Sequence, residues 1–422
     1  MKKILPPALI LLCVFTVSML AQRYSLLLQE SDGLFLLAPD YFRWAFVQSF
    51  PVSQIVSDFL VQFYRLSLYA PWTVAGIVCI VFLLAQGILR VTPLRSSLLP
   101  AAAAMAVWYF MAVNNSAKPG VAVALCLLPV WLLTLFFRRR EGIIPAWADA
   151  VASSLLLLVT ALLISFNPGV RHAETWAKVK LLAINGRWEE VNKVATPQKA
   201  AEDKELTPFA LLALDAQHKL GSYMFRYDVA WENDLDMCLE SDYPNSLLFK
   251  ALLYSNLECH NEAVHNYSQL STSMRHGTSF MVLRKLVSEN FLAGNYSLVE
   301  KYCSILDRSQ THGRFTSTYR DAMKNGTPHP ADSLDFRTSV PVITHSPAYN
   351  LKLLLDNGFP PVLILDRLLC TYLLQRDLES FRAALQSYQG PVSELPVHYQ
   401  EALTPADPPG TPGTYWYYYY SM

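Results

Sequence analysis

The chain has 422 residues, 52% of them hydrophobic, and its mean hydropathy of +0.22 is high for a wholly soluble protein and typical of one partly in a membrane, with room for two or three domains. Its zero net charge hides a split: residues 1–170 hold 11 Lys+Arg and 6 Asp+Glu, a net of +5, whereas residues 171–422 hold 23 and 28, a net of −5, and all nine His. A neutral to acidic second part argues against nucleic acid as a partner, because phosphates demand a cationic surface.

In chain order, five apolar runs come first, at 4–21, 71–89, 97–113, 119–137 and 150–166, with no charged residue inside any of them. Each has about the length a helix needs to cross ~30 Å of hydrocarbon. Trp72, Trp108, Tyr109 and Trp147 stand at or near their ends, where amphipathic rings favour headgroups. Lys2 and Lys3 precede the first run, Arg90 and Arg95 lie between the second and third, and RRRE (138–141) lies between the fourth and fifth. The positive-inside rule therefore predicts five crossings from an inside N-terminus, with residues 167–422 outside the cytoplasm. Cleavage after Ala21 would put large Met19 at −3, a poor site, so the first helix reads as an uncleaved anchor.

Between the first two runs, SQIVSDFLVQFYRLSLY starts with Ser53 as N-cap. Ile55, Val56, Phe59, Leu60, Phe63 and Tyr64 recur at helical spacing, while Asp58, Gln62 and Arg65 take the other face. An amphipathic helix over 53–69, lying on the outer leaflet, is expected. Upstream, Glu30 and Asp32 form a spaced acid pair in the first outer segment. Multi-pass glycosyltransferases acting on lipid-linked substrates also place paired acids there, which gives an enzymatic alternative. Solvated loop charges are the bland reading.

From Arg171 the pattern changes to helical hairpins. Short turns fall at Gly186, Gly221, Cys259 and Gly294, spaced by 35, 38 and 35 residues. A glycine there supplies the left-handed cap that ends a helix. Trp188, Tyr223 and Tyr296, two residues after each glycine, are expected to pack between paired helices. A period near 34 resembles tetratricopeptide repeats. A Pro-rich break at 325–347 interrupts the pattern, which resumes to residue 390; an irregular Pro-rich segment and the tail TYWYYYY complete 391–422. Docking of that tail on the chain's own helices, with Trp416 as anchor, is expected.

Other chemistry is thin. His260 and His265 are i and i+5, about 140° apart around a helix, which does not suit one metal ion. Cys238, Cys259, Cys303 and Cys370 would lie on the oxidising side, where a disulfide is allowed but its pairing is unreadable. No Gly-rich phosphate loop or nucleophile elbow is present. No cofactor and no metal is expected, and the apolar runs hold no ionisable group for transport.

Three stretches, FLLAPDYFRWAF, IVSDFLVQFYRLSLYAPW and TYWYYYY, resemble a family of bacterial multi-pass membrane proteins of unknown function. The resemblance implies a topology and no activity. The combined expectation is an all-α inner-membrane protein, with a five-helix transmembrane region at 1–170 followed by an extracytoplasmic tetratricopeptide-like repeat domain at 171–390. Stacked helix pairs offer an extended surface for a protein or peptide partner.

Overall fold

The structure, a computed structural model, describes residues 5–66, 68–92, 96–137, 146–230, 235, 243–325, 346–387, 395–404 and 410–421. Every element among them is helical. Lys2, Lys3, Arg95, residues 138–141 and Cys238 lie outside the described residues, as do most of the Pro-rich break and the prolines at 391, 405, 408 and 409. Proline starts many helices: Pro39, Pro51, Pro244, Pro347 and Pro361 each open one. Its fixed φ suits the first turn, where no N–H partner is needed.

The chain divides into two compact units. The first comprises Met1–Lys178 together with Ser279–Met281 and Ser304–Ser317. The passage from unit 1 to unit 2 falls within a continuous helix, Pro168–Ile184. Unit 1 holds α1 (Leu5–Ala21), α2 (Arg23–Asp32), α3 (Pro39–Val47), α4 (Pro51–Val61), α5 (Tyr69–Leu89), α6 (Leu98–Val113), α7 (Lys118–Thr134) and α8 (Ala146–Phe166). Helix α5 packs on α1, α6 and α7, and α8 packs on α1 and α6. Val14, Val78, Val81, Phe82, Ala104, Trp108 and Ile164 form their shared core. Two carboxylates cap the helices from outside. Asp149 accepts from the Ser97 and Leu98 amides at 2.7 and 3.0 Å, at the start of α6. Glu174 accepts from the Tyr24 and Ser25 amides at 2.8 Å each, at the start of α2. Orphan N–H groups and the helix dipole both favour an anion there.

Five crossings are not what the helix lengths give. Among the described residues, only α5 and Ala148–Phe166 of α8 are long and apolar enough, with a third if α1 and α2, bent by 79°, count as one span. Helices α6 and α7 have 16 and 17 residues, about 24 and 26 Å of helix against ~30 Å of hydrocarbon. An apolar run in the sequence overstates a helix when its ends are spent on turns, as Leu135–Phe137 are here.

Helix α4 is shorter than the 53–69 expected, and Ser53 lies inside it, Phe50 holding the N-cap position. Its buried residues are Ser53, Gln54, Ser57 and Val61, while Val52 and Phe59 are exposed. Gln54 donates to both oxygens of Asp58 at 2.8 Å, and the Tyr41 hydroxyl donates to Asp58 at 2.7 Å. Three polar residues thus take the most buried positions of the helix, while Ile55, Val56 and Leu60 are half-buried, Val56 and Leu60 against the core of unit 1.

Unit 2 comprises Val179–Thr278, Val282–Cys303 and Thr318–Met422. Its paired helices include Pro244–Asn256 with His260–Ser273, and Pro361–Gln375 with Leu378–Leu385. Gly186 and Gly294 take φ of +67° and +73°. Gly221 does not serve as a left-handed cap. It lies inside the helix Leu220–Tyr223, and His218, at φ +55°, takes the left-handed position instead. Gly221 is small for another reason: a Cβ there would sit 2.7 Å from Cζ of Tyr399. Trp188 is half-buried, but Tyr223 and Tyr296 are exposed rather than packed between helices. Between Trp188 and Tyr223 the chain makes four short helices of 7, 6, 10 and 4 residues, not one regular hairpin.

Candidate functional site

The most concentrated buried chemistry in unit 1 sits at the end of α2. Glu30 is 3% exposed, and its Oε1 lies 3.6 Å from Nε2 of His312, which is fully buried. The other imidazole nitrogen, Nδ1, is 2.8 Å from Ser309 Oγ and 3.0 Å from Thr311 Oγ1. Phe280 stacks on the imidazole with centroids 4.4 Å apart, and Ser31 Oγ donates to Glu30 Oε2 at 3.4 Å.

Backbone bonds hold these pieces together. The Phe280 amide donates to the Gly33 carbonyl at 3.0 Å, and the Leu37 amide to the Arg308 carbonyl at 2.8 Å. The Gln310 amide donates to Oε1 of the fully buried Gln62 at 3.1 Å. Segments 279–281 and 304–317 are thereby tied to the N-terminal helices. An acid beside an imidazole can share a proton. Here the pair is sealed by Phe280 and the helix end, so its geometry is that of an internal clasp. Of the two acids singled out in the sequence, Glu30 is engaged by His312, and Asp32 is half-buried. His312 went unnoticed in the sequence: a lone histidine 282 residues away gives no local signal.

Unit 2 holds two further buried polar groups. Glu289 accepts from Ser255 Oγ at 2.8 Å and lies 2.8 Å from His260 Nδ1; His265 is exposed. No group of three or more His, Cys, Asp or Glu fit for a metal ion occurs among the described residues. Arg367, fully buried, donates to Asp215 at 2.7 Å and to the Leu235 carbonyl at 2.7 Å. Beside it the Tyr399 hydroxyl donates to Asp366. Burial pushes the Asp366 carboxyl up from the usual carboxylate range. Burial likewise raises Cys370, which keeps it a thiol and a poor nucleophile. Cys259, Cys303 and Cys370 are buried.

The aromatic tail folds as a helix, Tyr415–Tyr420, with the Thr414 side chain capping the Tyr417 amide. Its anchors are Tyr415, fully buried, and Tyr418, 6% exposed, because residues three apart share a helix face. Tyr418 stacks on Phe225 at 4.9 Å and donates to the Leu374 carbonyl at 2.7 Å. Trp416 is half-buried and donates to the Glu401 carbonyl at 2.9 Å. It is a flank of the contact and not its anchor.

The sequence matches a family of unknown function (DUF6057) over residues 1–170 and 170–406. The chain belongs to this family. The tail that contributes to the sequence resemblance lies beyond the matched residues. No curated protein and no solved structure matches the chain.

Proposed function

We propose that this DUF6057 member is an integral protein of a bacterial inner membrane whose second helical unit receives a protein or peptide outside the cytoplasm. The observation that carries the membrane half is the outward apolar surface of unit 1. Ile80 and Leu83 on α5, Leu132 and Leu133 on α7, and Leu155, Leu158, Leu162 and Leu163 on α8 are all exposed. Surfaces this apolar and continuous are not left in water. Three crossings, by the bent α1–α2 pair, α5 and α8, would carry the chain from inside to outside. Helices α6 and α7 would then form a short hairpin that enters and leaves on the cytoplasmic side, which keeps Arg90 and residues 138–141 there. Alkaline carbonate extraction and a topology reporter test this. The protein should stay in the membrane pellet, and the reporter should be active after Ser380 and silent at Arg139; an extractable protein, or an active Arg139 fusion, sinks the reading.

The scaffold half draws on the helix pairs of unit 2, which are tetratricopeptide-like in spacing, and on exposed Tyr223, Tyr243, Tyr296 and Tyr349. Aromatic side chains are favoured at contact surfaces. Photo-crosslinking from positions 296 and 349 in intact membranes should give polypeptide adducts; none from either position would remove the scaffold role. The enzymatic alternative, with Glu30 and Asp32 at its centre, fits less well, because an acid sealed under Phe280 and His312 cannot meet a lipid-linked substrate without opening the clasp.

A further inference from the structure

Helices α3 and α4 meet at an elbow whose tip is Phe50. Phe50 is 64% exposed and holds a left-handed φ of +57°, a conformation that bulky residues seldom adopt. Phe46, Val47 and Val52 around it are also exposed. No Lys, Arg, Asp or Glu occurs between Arg43 and Asp58. Behind the tip, α4 buries polar side chains first: Ser53, Gln54 and Ser57 face the protein, where α4 packs on α3 and α7, while Val52 is exposed and Phe59 partly so. A helix beside water gives its most buried positions to apolar side chains; here Ser53, Gln54 and Ser57 hold them, and Ile55, Val56 and Leu60 are only half-buried.

We propose that the α3–α4 elbow is embedded in the lipid bilayer, with the Phe50 tip among acyl chains and the Gln54–Asp58–Tyr41 hydrogen bonds sheltered behind it. The inference rests on the membrane reading above and adds to it a second hairpin that enters lipid without crossing, this one from the outer side. Lipid is the occupant that this burial favours. Acyl chains accept any apolar shape, whereas the elbow shows a convex row of large side chains and no charged residue to orient a protein partner. The chain also runs from α4 through exposed Leu66 and Leu68 to exposed Trp72 at the start of α5, so the apolar surface continues onto a helix able to cross the bilayer. Burial of the polar side chains satisfies them internally, as hydrocarbon requires.

The test is a photoreactive phenylalanine analogue placed singly at 47, 50 or 162 of the full-length protein and activated in membranes of the expressing bacterium. Lipid-mass adducts from 47 and 50, as from 162 on α8, are expected. Adducts to another polypeptide, or to a second copy of this chain, from 47 and 50 would show the elbow to be a protein contact and overturn the proposal. Lipid adducts from 162 alone would place the elbow in water, overturning the proposal while the membrane reading stands. Absence of lipid adducts from 162 as well would remove both. The insertion at 47, which leaves Phe50 in place, guards against a tip that fails to fold when altered.

Discussion

Gly294 ends a helix at φ +73° with open space around it, so its constraint is conformational and not steric. Gly294→Val should lower the stability of the protein by about 1 kcal/mol or more, and Gly186→Val should do the same; denaturant melts that superimpose on the wild type would refute the turn geometry. Gly221→Ala should also destabilise, through collision with the Tyr399 ring, and truncating that ring should restore part of the loss. Removing the imidazole with His312→Ala leaves Glu30 buried beside a void, at a cost of roughly 2–4 kcal/mol. Glu30→Gln, which needs no charge partner, should cost less; a larger loss for Glu30→Gln would mean that the pair is not the clasp described. A pH effect is expected at His276, which burial and then the Arg275 charge lower to about 4. Its folded pKa lies below the unfolded value of about 6.5, so the neutral form is favoured in the fold. The associated stability is complete above about pH 6.5 and is lost as pH falls to about 4. The drop in melting temperature between pH 7 and pH 4 should shrink in His276→Gln.

At the scale of elements, the tail shows what a periodic reading can and cannot give. Six aromatics in a row carry no pattern of hydrophobicity, so the sequence does not say which face is buried. The helical period selects Tyr415 and Tyr418 once Phe225 and Leu374 offer a surface. Deleting residues 414–422 removes these two buried rings, roughly several kcal/mol of burial before ordering is counted. Faster proteolysis and a lower melting temperature of the full-length protein should follow; equal protease resistance would leave the tail without a stabilising role. Helix α4 teaches the complementary point. Its period in the sequence sets Phe59 apart from Asp58 and Gln62, but a period fixes only which residues share a face. Which face turns outward depends on the surrounding solvent and on the neighbouring helices, neither of which the period contains. The crossing count fails for a related reason: hydropathy marks the apolar stretch, whereas turns such as Leu135–Phe137 decide how much of it is helix.

For the whole molecule, the all-helical class was legible because apolar runs and 3.6-residue spacing are local signals. The Glu30–His312 pair was not, because it joins residues whose meeting depends on the path of the entire chain. The same pair also has a temporal side. Glu30 emerges from the ribosome 282 residues before His312. At about 5–20 residues per second the acid waits roughly 15–60 s for its imidazole, with α1, α5 and α8 already made. During that interval the N-terminal helices are an unfinished object that a quality-control protease can distinguish from the complete one. A chain stopped at residue 178 should therefore be cleared faster than one extended to residue 325, and within the longer chain His312→Ala should restore the rapid clearance. Equal lifetimes for all three would mean that the N-terminal helices mature without waiting for the later segment.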